Sequence, residues 1–225
     1  LVDLKGTPLL ANLPPEVAAR AMVVRRAERI DIECVVRGYI TGSAWAEYEA
    51  SSTVGGNAMS PGLREGDSFP KSLFTPTTKA ETGHDMPMSP EDVRDMVGDE
   101  MAARLEEVSR QVYEFARDEA RTKGIIIADT KMEFGLVGSE LILIDELLTP
   151  DSSRFWDASL YEPGKSQPNF DKQYVRDWLI ASGWNREPPA PELPPEVVSK
   201  TQTRYIEAYE RITGQRWVSV AEKAS

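Results

Sequence analysis

The sequence predicts an α+β fold. Three observations predict it. Apolar, β-branched segments occur early in the chain and again in one hairpin past its midpoint. Helical periodicities cluster around those segments. No strict strand–helix alternation is present, so a doubly wound parallel sheet is not indicated.

The elements follow in order. Leu13-Pro14-Pro15-Glu16 begins a short helix or turn. Residues 21–26 read as a strand, and residues 30–37 as another. In the second, Asp31, Glu33, Val35 and Arg37 share one face, because side chains alternate along a strand. Ser43 is placed to cap a short helix running through Glu49. Residues 51–85 are dense in Gly, Pro, Ser and Thr and read as a long loop that either binds something or stays disordered, the charges at Arg64, Lys71, Lys79, Glu81 and Asp85 favouring binding. Ser89-Pro90-Glu91-Asp92 is a helix start, and Gly98-Asp99 ends that helix and begins the next. Met101, Leu105, Val108, Val112 and Phe115 then recur at helical spacing and read as a core stripe. Residues 149–157 read as a polar loop with one arginine. Asp171 caps a helix carrying Tyr174, Val175, Trp178 and Leu179, closed by Gly183. A Pro-rich connector over residues 187–195 leads to a last helix ended by Gly214. Both late helices read as ordinary packing.

The most informative segment is Ile125-Ile126-Ile127-Ala128-Asp129-Thr130-Lys131-Met132-Glu133-Phe134-Gly135. It reads as a strand with Asp129, Lys131 and Glu133 on one face. A turn over residues 135–138 leads to a second strand, Leu141-Ile142-Leu143-Ile144, which runs into Asp145-Glu146. Burying charge is costly unless it is paired or holds a metal. The pattern therefore has two readings. One is a salt-bridged strand face. The other is a carboxylate pair for Mg²⁺ beside a phosphate-binding lysine. Arg37-Gly38-Tyr39-Ile40-Thr41-Gly42-Ser43 likewise reads either as a phosphate-holding turn or as a plain Gly-rich turn with a helix cap.

The chain has 225 residues, 40% apolar and 28% charged, with 26 basic and 37 acidic residues and a net charge of -11. That composition suits a globular chain and argues against a general nucleic-acid surface. A small anionic ligand needs only a local basic pocket. Cys34 is the single cysteine, so no disulfide framework is possible, and it reads as a buried apolar residue in a reducing compartment. No apolar run reaches membrane-spanning length and no signal peptide is evident, so a cytoplasmic location is expected, with no membrane partner.

Several segments in order carry a resemblance. They are Val35-Val36-Arg37-Gly38-Tyr39-Ile40-Thr41-Gly42-Ser43-Ala44-Trp45, Phe74-Thr75-Pro76-Thr77-Thr78-Lys79-Ala80-Glu81, the Ile126 to Gly135 segment, and Asp145-Glu146-Leu147-Leu148-Thr149-Pro150-Asp151-Ser152-Ser153-Arg154-Phe155-Trp156. The stretch over residues 167–179 follows them. Together they closely resemble the SAICAR synthetase (phosphoribosylaminoimidazole-succinocarboxamide synthase) family of purine biosynthesis, from about Val23 to Trp217, in the style of its longer, fungal-like branch.

The resemblance implies a two-lobed SAICAR synthase-like fold, distantly similar to kinase and ATP-grasp folds. It implies an ATP-dependent ligase joining carboxyaminoimidazole ribonucleotide (CAIR) and L-aspartate to give SAICAR, ADP and phosphate through an acyl phosphate, with ATP and Mg²⁺ as cofactors. By resemblance Glu133 and Asp145 hold Mg²⁺, and Lys131 lies between phosphate and carboxylate groups. Asp129 orients CAIR or a second metal. Arg37, Ser43 and Arg154 grip the CAIR phosphate and ribose, and Glu33 meets its base or ribose. Lys79, His84 and Asp85 lie near the CAIR carboxylate and the aspartate. Ala27, Glu28 and Arg29 belong to the connector against which adenine stacks.

One part of the family pattern is not found. The family opens with a small sheet lobe whose Gly-rich hairpin and lysine cover the ATP phosphates, and Lys5-Gly6 lacks flanking strands. Residues 1–30 are therefore expected to be a remnant of that lobe and connector, and residues 31–225 the large lobe with the CAIR, Mg²⁺ and aspartate sites. The expectation is a truncated product or a chain completed by a partner segment, with an exposed apolar edge at residues 22–24. An alternative follows: a fragment that binds CAIR or a related phosphoribosyl ligand without turnover. The sequence does not fix the oligomeric state.

Overall fold

The computed structural model describes residues 13–18, 21–79, 86–170, 173–185 and 187–219. Two strands form its centre: β1 (Glu28–Tyr39) and β6 (Ile125–Val137). They pair antiparallel from Glu33↔Glu133 to Arg37↔Asp129. The elements before β6 are α1 (Pro15–Ala18), α2 (Ser43–Ser51), β2 (Thr53–Val54), β3 (Asn57–Ala58), β4 (Ser68–Phe74), β5 (Thr77–Thr78), α3 (Pro90–Val97) and α4 (Asp99–Thr122). After it come β7 (Glu140–Ile144), β8 (Ser153–Asp157), α5 (Gln173–Ala181) and α6 (Pro195–Thr213). The main sheet runs β4-β1-β6-β7, with β5 also paired to β1 and β8 to β6, all antiparallel. This is the expected α+β organisation.

Alternation on the two central strands divides polar from apolar. Ile32, Cys34 and Val36 of β1 and Met132 and Phe134 of β6 face the main core with Leu105 and Tyr113 of α4. Leu105 is wholly buried, a contribution of roughly 2 kcal/mol. Glu33 and Arg37 of β1, with Asp129 and Glu133 of β6, are also buried on the opposite face, where Arg37 pairs with Asp129, and Glu33 and Glu133 both bond Lys79. Burial also pushes the Cys34 thiol up from 9.0 to about 12, so it stays neutral.

The helix starts follow their chemistry. Ser89 accepts from the Asp92 N–H, and Asp92 reaches back to the Ser89 N–H, a reciprocal cap worth about 1 kcal/mol. Gly98, at φ 82°, breaks α3 from α4.

Several expectations are corrected. Residues 21–27 form no strand; Met22 and Val24 are indeed exposed, at 69% and 71%, but on irregular chain. Residues 51–79 are not a loop: they hold the β2–β3 hairpin, β4 and β5, with Pro70 tolerated because β4 is at the sheet edge. Ser43 is the first residue of α2 and makes no cap; Gly42 occupies that position. The β6–β7 turn is only Gly138-Ser139, and Gly135 lies within the strand. Residues 153–157 are a strand. Of the expected α4 stripe, Leu105 is wholly buried and Met101, Val108 and Val112 pack partly buried against the core, whereas Phe115 faces solvent. The fully buried line also takes in Ala102, Ser109, Tyr113, Ala116 and Ala120. Asp171 and Lys5-Gly6 lie outside the described residues.

Candidate active site

β1 presents Arg37 at one end of the polar sheet face. All three of its donor nitrogens are engaged: Nε donates to Thr75 Oγ1 (2.9 Å), Nη1 to Asp129 Oδ2 (3.2 Å) and Nη2 to Ser43 Oγ (3.3 Å). Arg154, from β8, donates through Nη1 to the same Asp129 oxygen at 2.6 Å. Burial pulls Arg37 below its ordinary value; Asp129 opposes this and the second guanidinium adds to it. An arginine nonetheless stays protonated across the physiological range. Two guanidiniums thus share one buried carboxylate, leaving an excess positive charge.

A cavity of about 180 Å³ opens beside this cluster, lined among others by Arg37, Ser43, Ser152, Arg154 and Arg176. Arg176, from α5, makes no ion pair among the described residues. Guanidiniums and hydroxyls converging on a small cavity suit a phosphate or another tetrahedral anion. A roomier cavity of about 420 Å³ beside α6 is apolar and has no lysine, arginine or carboxylate in its wall, so it offers no comparable chemistry.

The glycines of the 37–43 turn serve this cluster differently from the expected close approach to a ligand. A Cβ on Gly42, at φ +57°, would lie 2.3 Å from Arg154 Nη2. One on Gly38 would lie 2.0 Å from the Tyr113 hydroxyl. They make room for protein side chains.

A second cluster sits midway along the same face. Glu33 Oε1 accepts from Lys131 Nζ at 2.7 Å and from Lys79 Nζ at 3.2 Å. Lys79 also bonds Glu133. That bond to Glu133 raises Lys79 above its usual value, against the opposing effect of burial. The salt-bridged reading of the strand face is therefore realised, with a lysine between two buried carboxylates.

Glu133 lies opposite Ile144 across the β6–β7 ladder, and Asp145 follows Ile144 directly, exposed and at φ 60°. Among the described residues no group of three or more His, Cys, Asp or Glu is arranged to hold a metal ion. Glu133 is bonded to Lys79, and Asp145 is exposed one residue past Ile144, the ladder partner of Glu133; two carboxylates alone would leave waters or phosphate oxygens to complete a Mg²⁺ shell.

The face thus brings together Glu33, Arg37, Ser43, Lys79, Asp129, Lys131, Glu133 and Arg154. Ala27, Glu28 and Arg29 lie at the other end of β1, where Glu28↔Leu136 and Arg29↔Gly135 pair beside the hairpin; the Arg29 side chain bonds Asp31. His84 and Asp85 lie outside the described residues. Sequence reasoning did not single out Thr75, Ser152 or Arg176. Thr75 sat in a supposed loop, and Arg176 on a helix read as packing.

An antiparallel sheet that collects buried carboxylates, lysines and arginines around an anion-sized cavity defines an enzyme site for small anionic ligands. Comparison with known proteins makes this specific. The family model for SAICAR synthetase matches residues 6–191. A curated relative, the phosphoribosylaminoimidazole-succinocarboxamide synthase of Desulfotalea psychrophila, is 52% identical over 201 residues, spanning 89% of this chain and 68% of that protein. Among solved structures, SAICAR synthase from Saccharomyces cerevisiae in complex with SAICAR superposes with a TM-score of 0.84 at 41% identity, over 97% of this chain and 75% of that one. A SAICAR synthetase in complex with ADP gives a TM-score of 0.65 at 25% identity, over 87% and 68%. The chain belongs to the SAICAR synthetase family, the amide-forming ligases of purine biosynthesis. Among the described residues no helix is long and apolar enough to cross a membrane.

Proposed function

We propose that the chain performs the ATP-dependent joining of CAIR and L-aspartate to give SAICAR, ADP and phosphate. The observation that carries this reading is the linear order of charge along one sheet face. Arg29, beside the hairpin, and Arg37, at the far end, are separated by eight residues of β1, roughly 26 Å of strand. The Glu33, Lys79, Lys131 and Glu133 cluster lies between them. Two anionic reactants laid end to end match that order: adenine near residues 27–29, ATP phosphates and the reacting carboxylate at the middle, the CAIR phosphate at Arg37, Ser43 and Arg154.

A carboxylate is a poor acyl donor at neutral pH. A CAIR carboxylate oxygen attacks the γ-phosphorus of ATP and ADP leaves, giving an acyl phosphate. The aspartate amine then attacks the acyl carbon, and phosphate leaves. Glu133 and Asp145 would hold Mg²⁺, which when bound offsets the charge of the phosphate oxygens. Lys131, beside Glu33, orients the reacting carboxylate and neutralises charge as the two anions approach. Arg37 and Arg154 fix the ribonucleotide at its remote end, so that binding energy there positions the reacting group. Asp129 holds those two arginines in place. In this reading residues 31–225 are the large lobe with the CAIR, Mg²⁺ and aspartate sites, and residues 1–30 belong to the ATP-binding lobe and connector.

A coupled assay of ADP release tests this. One ADP per SAICAR, dependent on CAIR, L-aspartate and Mg²⁺ together, is the expected result. Binding of CAIR without any aspartate-dependent ADP release would contradict it and favour a binding role alone.

A further inference from the structure

The β1–β6 ladder ends at Arg37↔Asp129. The next residues are Gly38 on β1 and Ala128 on β6, and both strands become irregular there. The pairing of β1 with β4 shifts register between Arg37 and Tyr39. The pairing of β6 with β8 shifts between Ile127 and Asp129. Register shifts of this kind re-aim the side chains next to them. Here those side chains are Arg37, Asp129 and Arg154, the last two being register partners.

Tyr113, from α4, enters at this point. It is wholly buried, and its hydroxyl donates to the Ile127 carbonyl at 2.8 Å, with the Ala128 carbonyl at 3.5 Å. Gly38 leaves the space: any Cβ there would overlap the hydroxyl. The phenol thus stands where the ladder between the two strands stops.

We propose that Tyr113 is a positioning residue for the phosphate pocket, its hydroxyl fixing the sheet irregularity that aims Arg37, Asp129 and Arg154 into the cavity. The inference rests on the reading that this pocket receives the phosphate of the ribonucleotide substrate. Tyr113 touches no reacting group; it acts through the backbone of β6. Its ring is buried in the core, yet a core role alone needs only the ring, and the hydroxyl is the part aimed at the irregularity.

The test compares Tyr113→Phe, Gly38→Ala, Leu105→Ala and Arg37→Ala. Calorimetric binding of ribose 5-phosphate and steady-state KM values are the readouts. Tyr113→Phe keeps the ring and removes one buried hydrogen bond, so ribose 5-phosphate affinity should fall about tenfold. KM for CAIR should rise by a similar factor, with KM for ATP and kcat held within about twofold. Gly38→Ala, which displaces the hydroxyl from the other side, should do the same, and the double variant should lose no more than the worse single one. Leu105→Ala, on the same helix, should lower Tm at least as far and leave phosphate affinity unchanged. Wild-type affinity in Tyr113→Phe, or an equal loss in Leu105→Ala, overturns the proposal while Arg37→Ala still loses the ligand. Undiminished binding in Arg37→Ala overturns the pocket reading and this inference with it.

Discussion

Asp129 and Arg154 are joined at 2.6 Å through the one carboxylate oxygen that also receives Arg37, so a single buried acid sets the position of two arginines. This arrangement has a definite cost if broken. Asp129→Asn keeps the shape but removes the counter-charge from two guanidiniums. Loss of one partner of a buried ion pair costs about 3 kcal/mol or more. Urea unfolding should register a drop of that order. A change under about 0.5 kcal/mol, the scale of a surface substitution, would mean the carboxylate is dispensable.

Gly42→Ala should be costly for two separate reasons. The backbone there is left-handed, and the added methyl meets Arg154 Nη2. The strain alone is worth about 1 kcal/mol. Displacement of Arg154 should also weaken CAIR. An alanine variant with unaltered KM for CAIR would show that Arg154 stands elsewhere when substrate is bound.

Glu133→Gln retains a hydrogen-bonding side chain at the centre of the face but loses the charge shared with Lys79. It should abolish turnover at saturating Mg²⁺ and leave the far-UV circular dichroism of the protein unchanged. Unaltered turnover at saturating Mg²⁺ would remove Glu133 from any metal role.

The alkaline limb of stability has a definite sign. Cys34 is raised from 9.0 to about 12 by burial, so its folded-state value lies above its unfolded one. The neutral thiol's contribution is complete below pH 9 and is lost as pH climbs toward 12. Tyr113, also raised by burial from 10.0, works in the same direction at higher pH. Unfolding free energy should therefore decline above pH 9, and Cys34→Ala should delay the onset until the Tyr113 range. A flat profile between pH 9 and 10 in the parent protein would contradict this.

Much of the site was legible because alternation on a strand is a local rule. Glu33 and Arg37 on β1, and Asp129, Lys131 and Glu133 on β6, follow from counting in twos, and their shared face follows from pairing those strands. What could not be read depends on distant partners. β8 carries Ser-Arg-Phe-Trp-Asp after a polar turn, and only its pairing with β6 makes it a strand. β4 contains Pro70, which argues against a strand until its edge position is known. The buried face of α4 adds alanines, a serine and a tyrosine to Leu105, so a search for large apolar residues finds the flank of that face and misses the small residues beside it. Arg176 and Thr75 carry no local signal at all; they matter through where α5 and the end of β4 come to rest.

In the proposed reaction the Arg37 end of the sheet face serves the phosphate of the ribonucleotide, apart from the nucleotide triphosphate. Steady-state kinetics of Arg37→Ala, with CAIR and ATP each varied in turn, puts this to the test. KM for CAIR should rise by about tenfold to a hundredfold, the worth of charge-assisted hydrogen bonds, while KM for ATP stays within about twofold. Equal rises for the two substrates would contradict it.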